Sequence, residues 1–191
     1  MNNLYDKILR SIEESRSAAL SLVAQSDELQ RIVEAIVEAL RAGGKVMFAG
    51  NGGSAGDAQH ASAEFVGRLG LGVNRQPLPA IALTTDTSAI TAIANDFGFE
   101  EIFSRQIEAL ARAGDVFVCM STSGESPNII RAVEAAKLHN CATVALTGPK
   151  ESTLAEIADY HIAIDGPNTP RIQEGHALAL HIICECTEIV I

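Results

Sequence analysis

No run of lysine or arginine occurs anywhere in the 191 residues, and 14 basic side chains stand against 24 acidic ones, a formal net charge of -10. A protein that tracks nucleic-acid phosphates needs a basic surface, so no DNA or RNA partner is expected. Any bound phosphate must instead be held by local dipoles and hydroxyls, against an unfavourable overall field. C-x-x-C spacing is missing too. Cys119 and Cys141 lie in apolar runs and read as small core residues. Cys184 and Cys186 are two apart and would point to different faces of a helix, which argues against a cysteine metal or redox site. The N-terminal MNNLYDKILRSIEESR lacks an apolar core and a small-residue cleavage site, and no stretch of the chain is long and apolar enough to span a membrane. A cytoplasmic protein with no membrane partner is expected. Repeats, low-complexity tracts and linkers are absent as well. With 47% apolar and 20% charged residues, the chain has the composition of one globular domain covering residues 1–191.

What is present divides at Gly43-Gly44. Residues 1–42 read as two helices, the first with a loose stripe of Leu4, Ile8, Ile12, Leu20 and Val23. The second carries Leu29, Ile32, Val33, Ile36, Val37 and Leu40 at unbroken three-four spacing, with Asp27 and Gln30 offering a capping box. This pair must bury its stripes on the main body or on a partner chain. Over 43–191 short apolar runs at Lys45–Ala49, Pro79–Thr84, Asp115–Ser121, Ala142–Thr147 and Tyr160–Ile164 alternate with helical segments. That alternation predicts an α/β fold, a three-layer α/β/α sandwich on a five-stranded parallel sheet. Ligands bind such sheets beyond the carboxyl ends of the strands.

At the first of those ends lies Ala49-Gly50-Asn51-Gly52-Gly53-Ser54, running straight into a helix that Ser54 can cap. It is neither a Walker loop nor G-x-G-x-x-G, so nucleotide binding gains no support. The helix it opens carries His60 and Glu64 at i, i+4, on one face and about 6 Å apart along the axis. Such a pair can chelate a divalent metal, act as a proton-transfer set, or be a plain surface polar pair, and Arg68, one turn on, can pair with Glu64 and hold it ionised. The third strand ends in Ser121-Thr122-Ser123-Gly124-Glu125-Ser126 followed by Pro127, four hydroxyl residues at a helix start, which suits a phosphate cradle without lysine. Asn95-Asp96 can contact sugar hydroxyls or simply form a turn. The last helix opens with Thr169-Pro170 and carries Gln173 and His181, roughly 80° apart around its axis and about 12 Å along it. If both are ligands of one metal, they come from different subunits or the helix is irregular near Gln173. His176 reads as an ordinary packed or surface histidine.

The blocks AGNGGSAGDAQHASAEFVGR, ALTTDTSAITAIANDFGFE, GDVFVCMSTSGESPNI and TPRIQEGHALALH resemble those of the sugar isomerase (SIS) fold, and within it of the phosphoheptose isomerases. The resemblance implies conversion of sedoheptulose 7-phosphate to D-glycero-D-manno-heptose 7-phosphate through an enediol. This is the first step toward nucleotide-activated heptose for lipopolysaccharide. It implies one zinc per subunit on His60, Glu64, Gln173 and His181, with Glu64 as general base and His181 as general acid. Substrate contacts are implied for Asn51, Gly52, Gly53, Glu64, Asn95, Asp96, Ser121, Thr122, Ser123, Ser126 and Gln173. A homotetramer with active sites at subunit interfaces follows from the same resemblance. Three departures stand out: Gly56 where the motif usually has Ala, Glu125 in a usual Asn position, and no Gly-Gly pair in Gly148-Pro149-Lys150-Glu151. A carboxylate at 125 suits a phosphate loop only if it points away. The alternatives are a non-catalytic adaptor of the same fold, which would be expected to lack the His–Glu pair and the late histidine, and a phosphosugar-binding regulator.

Overall fold

Two helices precede the sheet, α1 (Asn2–Leu20) and α2 (Ser26–Arg41), joined by a short 3-10 turn. In the computed structural model, which describes residues 2–70, 74–148 and 151–191, the α2 stripe is buried from Leu29 to Leu40 as its spacing predicts. Each of its aliphatic side chains contributes roughly 1.5–3 kcal/mol on burial. The capping box does not form. The helix starts at Ser26, which places Asp27 inside its first turn, and Gln30 donates to Glu34 instead. Acidic residues in a first turn still favour the helix through its dipole. The α1 stripe behaves differently, since Leu4, Ile8, Ile12 and Leu20 are all at least half exposed.

Strands β1 (Val46–Gly50), β2 (Ala80–Ala82), β3 (Val116–Ser121), β4 (Ala142–Thr147) and β5 (Tyr160–Ala163) form one all-parallel sheet in the order β2-β1-β3-β4-β5. The second run is cut to three residues because it is an edge strand, with one neighbour to hold it. Between the strands run α3 (Gly53–Val66), α4 (Thr87–Phe97), α5 (Ser104–Leu110), α6 (Pro127–Leu138) and α7 (Thr153–Ile157), with α8 (Thr169–Val190) last. Two starting caps differ from expectation. Gly52 occupies the cap position of α3, so Ser54 lies inside the helix and is buried. On α8 the cap is Asn168, whose side chain accepts from the Arg171 amide, with Thr169 and Pro170 already in the first turn.

The sheet separates two apolar cores. One packs α2, α3 and α8 on Val46, Phe48, Val118 and Leu146, and the other packs α5, α6 and α7 on Met47, Phe117, Cys119 and Ala145. From β1 the chain proceeds to β2 on one side, and from β3 to β4 and β5 on the other. The strand order therefore reverses between β1 and β3, where Gly50 is paired with Met120. At such a switch point the two outgoing loops diverge and leave a crevice. Among the described residues no helix is long and apolar enough to cross a membrane.

Candidate active site

The two loops at the crevice are 51–52 and 122–126, and they are tied together. The Asn51 and Asn128 amides exchange reciprocal hydrogen bonds of 2.9 and 2.8 Å, with Asn128 buried in the first turn of α6. Asn128 was not singled out from sequence, where an Asn after Pro127 reads as a helix start.

In the second loop the hydroxyls gather. Ser121 Oγ lies 2.9 Å from Ser126 Oγ and 3.3 Å from Ser123 Oγ, and it accepts from the Gly124 amide. Ser126 is the cap residue of α6, yet its side chain turns to Ser121 and not to the helix amides. The N-terminus of α6 is thus left without a side-chain cap, in the arrangement that receives an anion. Gly124 sits at φ +71°, and a Cβ there would collide with Ser152. Glu125 does point away. Its carboxylate accepts from the Thr153 amide and hydroxyl, each at 2.7 Å, at the start of α7. The Thr153 hydroxyl and then its amide hold this carboxyl below its ordinary value. The Leu154 amide adds a bond to the Gly124 carbonyl, so the loop is latched to α7 at two points. Thr122 is half-buried, and its carbonyl faces Gly148. Pro149 and Lys150, in the stretch without a Gly-Gly pair, lie outside the described residues.

The other constellation lies along the seam where α3 and α8 run side by side. Gly53 meets the Gln173 amide so closely that an added Cβ would lie 2.7 Å from Gln173 Nε2. Two turns on, His60 Nε2 and His181 Nε2 are 2.8 Å apart with their rings edge to face, and His60 Nε2 is 3.6 Å from Glu64 Oε1. The spacing behind this is a stripe of Gly53, Asp57, His60 and Glu64 on α3 against Gln173, His181 and Glu188 on α8. His60, Glu64 and His181 are therefore brought together within one chain. Gln173 is not brought to them. Helix α8 is continuous, and the Gln173 amide stays against Gly53, about 10 Å along the helix from His60.

Asp57 was passed over in the sequence, although it lies three residues before His60 on the same face. Its Oδ2 is buried without a hydrogen-bond partner. Burial raises its carboxyl above the ordinary value, against the opposing pull of His60 and His181. It lines a cavity of about 300 Å³ with Gly53, Pro170, Gln173, Glu174 and Ala177. Asn95 and Asp96 end α4 exposed, with the Asn95 amide donating to Asp96. Arg68 is exposed and has no ion pair among the described residues, so the expected pairing with Glu64 does not form. His176 is fully buried, and burial pushes its imidazole down to about 4.

Two imidazoles and a carboxylate are the donor set of a borderline divalent ion. Among the described residues no three His, Cys, Asp or Glu side chains stand ready-made around one. The two ring nitrogens that would face an ion lie 2.8 Å apart. The chemistry of the set fits a metal.

Comparison with known proteins follows the same lines. Residues 10–148 match the SIS domain family, a span that stops short of α8. A phosphoheptose isomerase of Geotalea daltonii is 53% identical over 163 residues, 85% of this chain and 84% of that protein. The structure of a phosphoheptose isomerase from Neisseria gonorrhoeae superposes with a TM-score of 0.87 at 41% identity, covering 99% of this chain and 98% of that one. One from Francisella tularensis gives 0.91 at 35% identity, covering 97% and 98%. Matched at these identities over most or all of its length, the chain belongs to the SIS domain family and, within it, to the phosphoheptose isomerases.

Proposed function

We propose that the protein is an aldose–ketose isomerase that converts sedoheptulose 7-phosphate to D-glycero-D-manno-heptose 7-phosphate through an enediol. The observation that carries this is the meeting of His60, Glu64 and His181 on the α3–α8 seam, whose other end opens at the switch point beside a hydroxyl-lined loop. The 121–126 loop and the α6 N-terminus hold the phosphate. Glu64 removes the proton from the carbon beside the carbonyl, and His181 moves the proton at the oxygens. An adaptor of this fold has no need of that constellation.

Zinc is the proposed ion, one per subunit, on His60, Glu64 and His181. When bound it supplies an electrophile for the developing oxyanion. Gln173, with its amide against Gly53, completes the set only if the seam rearranges or a neighbouring chain contributes. The proposed assembly is a homotetramer in the cytoplasm. Supporting the assembly, Leu4, Ile8, Leu9 and Ile12 of α1 are about half exposed or more. An apolar groove of about 950 Å³ between α2 and α8, lined by Leu22, Val33, Val37, Leu178 and Ile182, lies away from the chemistry. Apolar surface on this scale marks protein contact. Incubation with sedoheptulose 7-phosphate, with and without a chelator, tests the reading. Turnover that the chelator abolishes and zinc restores is expected. Absence of both turnover and phosphosugar binding would leave the adaptor.

A further inference from the structure

We infer that Arg75, held by Glu188, is a positioning residue that sets the height of Glu64 on the seam. The inference rests on Glu64 being the base proposed above. A helix leaves its last four carbonyls without partners, and α3 ends at Val66, only two residues beyond Glu64. Arg75 returns from the following loop and donates to two of these carbonyls, of which that of Phe65 also accepts from the Leu78 amide at 3.0 Å. Its Nη2 donates to the Glu64 carbonyl at 2.7 Å and its Nη1 to the Phe65 carbonyl at 2.9 Å. The same Nη1 also reaches the Gln76 carbonyl at 3.1 Å. The remaining edge of the guanidinium is taken from α8, with Nε donating to Glu188 Oε1 at 2.8 Å.

Glu188 also accepts from the Gly70 amide at 2.9 Å and the Leu69 amide at 3.3 Å. Arg75 and Glu188 side chains are 10% and 4% exposed, so this is an interior strut and not a surface ion pair. Burial raises the Glu188 carboxyl, but the Gly70 amide, the Arg75 guanidinium and the Leu69 amide outweigh it and hold the carboxyl below its ordinary value. The strut therefore joins three pieces: the turn that carries Glu64, the loop that leaves it, and the helix that carries His181 two turns before Glu188. Only a planar fork with donors on several edges can do this, which is arginine's geometry and not lysine's. The phosphate loop lies at the other end of the seam and is not touched by it.

The test uses the full chain, with zinc supplied, and three proteins: wild type, Arg75→Lys, and Arg75→Met with Glu188→Leu. The double variant replaces a buried ion pair by apolar side chains of similar volume, which can restore stability without restoring the fork. For Arg75→Lys, kcat on sedoheptulose 7-phosphate is expected to fall about tenfold to a hundredfold, with KM within about twofold. Amide exchange of the last turn of α3 should speed up. The double variant should recover melting temperature but not kcat. A kcat that recovers with the melting temperature, or one that never fell, overturns the inference. If wild type does not turn the sugar over, the isomerase reading fails on its own. In that case faster exchange in the Glu64 turn of Arg75→Lys still supports the strut, and unchanged exchange overturns it.

Discussion

At the residue scale, burial sets the behaviour of single groups. His176, outside the seam cluster, is an imidazole enclosed between α8 and the sheet, and burial outweighs a backbone bond with Thr147 to push it down to about 4 from an ordinary 6.5. Between those two values the unfolded chain binds a proton that the folded chain refuses. Stability should therefore fall as pH drops through that window, by up to about 3 kcal/mol, and the contribution is fully present above it. Urea midpoints of wild type and His176→Leu at about pH 7 and about pH 5 check this, the variant showing the smaller drop. The sequence marked His60, Glu64 and His181 through spacing and resemblance. It did not mark Asp57, although the three-four rule put it on the same face. A single aspartate on a helix is ordinary, and only the burial of its Oδ2 makes it unusual. Arg75 was equally illegible, because its role depends on where a loop returns after α3.

At the element scale, the helices were legible from periodicity and their ends were not. Apolar spacing reports which face is buried over many residues. A cap depends on one local conformation, and Asn168, Gly52 and Gln25 each displaced a reasonable sequence candidate by one or two positions. The α2 stripe accounts for most of the attachment of that helix, so Ile36→Ala should cost about 2–5 kcal/mol by denaturant unfolding. The latch between Glu125 and α7 belongs to this scale too. It holds the 121–126 loop from outside the anion site, and it depends on an exposed carboxylate held below its ordinary value. Glu125→Ala should raise KM for sedoheptulose 7-phosphate severalfold and weaken inhibition by inorganic phosphate in parallel, while kcat stays near wild type.

At the scale of the whole molecule, the parallel sheet was legible because all five strands announce themselves as apolar runs between helices. The strand order was not, since periodicity says nothing of which runs become neighbours. The reversal between β1 and β3 places the two loops together, and the parallel course of α3 and α8 places the histidines together. Exposed apolar surface on α1 and the groove between α2 and α8 belong to the same scale. In light scattering the native chain should run as a tetramer, and Ile8→Glu with Ile12→Glu should shift it to smaller species. The meeting of His60, Glu64 and His181 leads to one comparison, the rate at which wild type and Glu64→Gln convert sedoheptulose 7-phosphate under identical zinc-loaded conditions. Wild type should turn over, and the glutamine variant, folded and still a tetramer, should be at least about a hundredfold slower, as the loss of a general base requires. Equal rates would contradict the assignment of Glu64 as the base and, with it, the chemistry proposed for the seam.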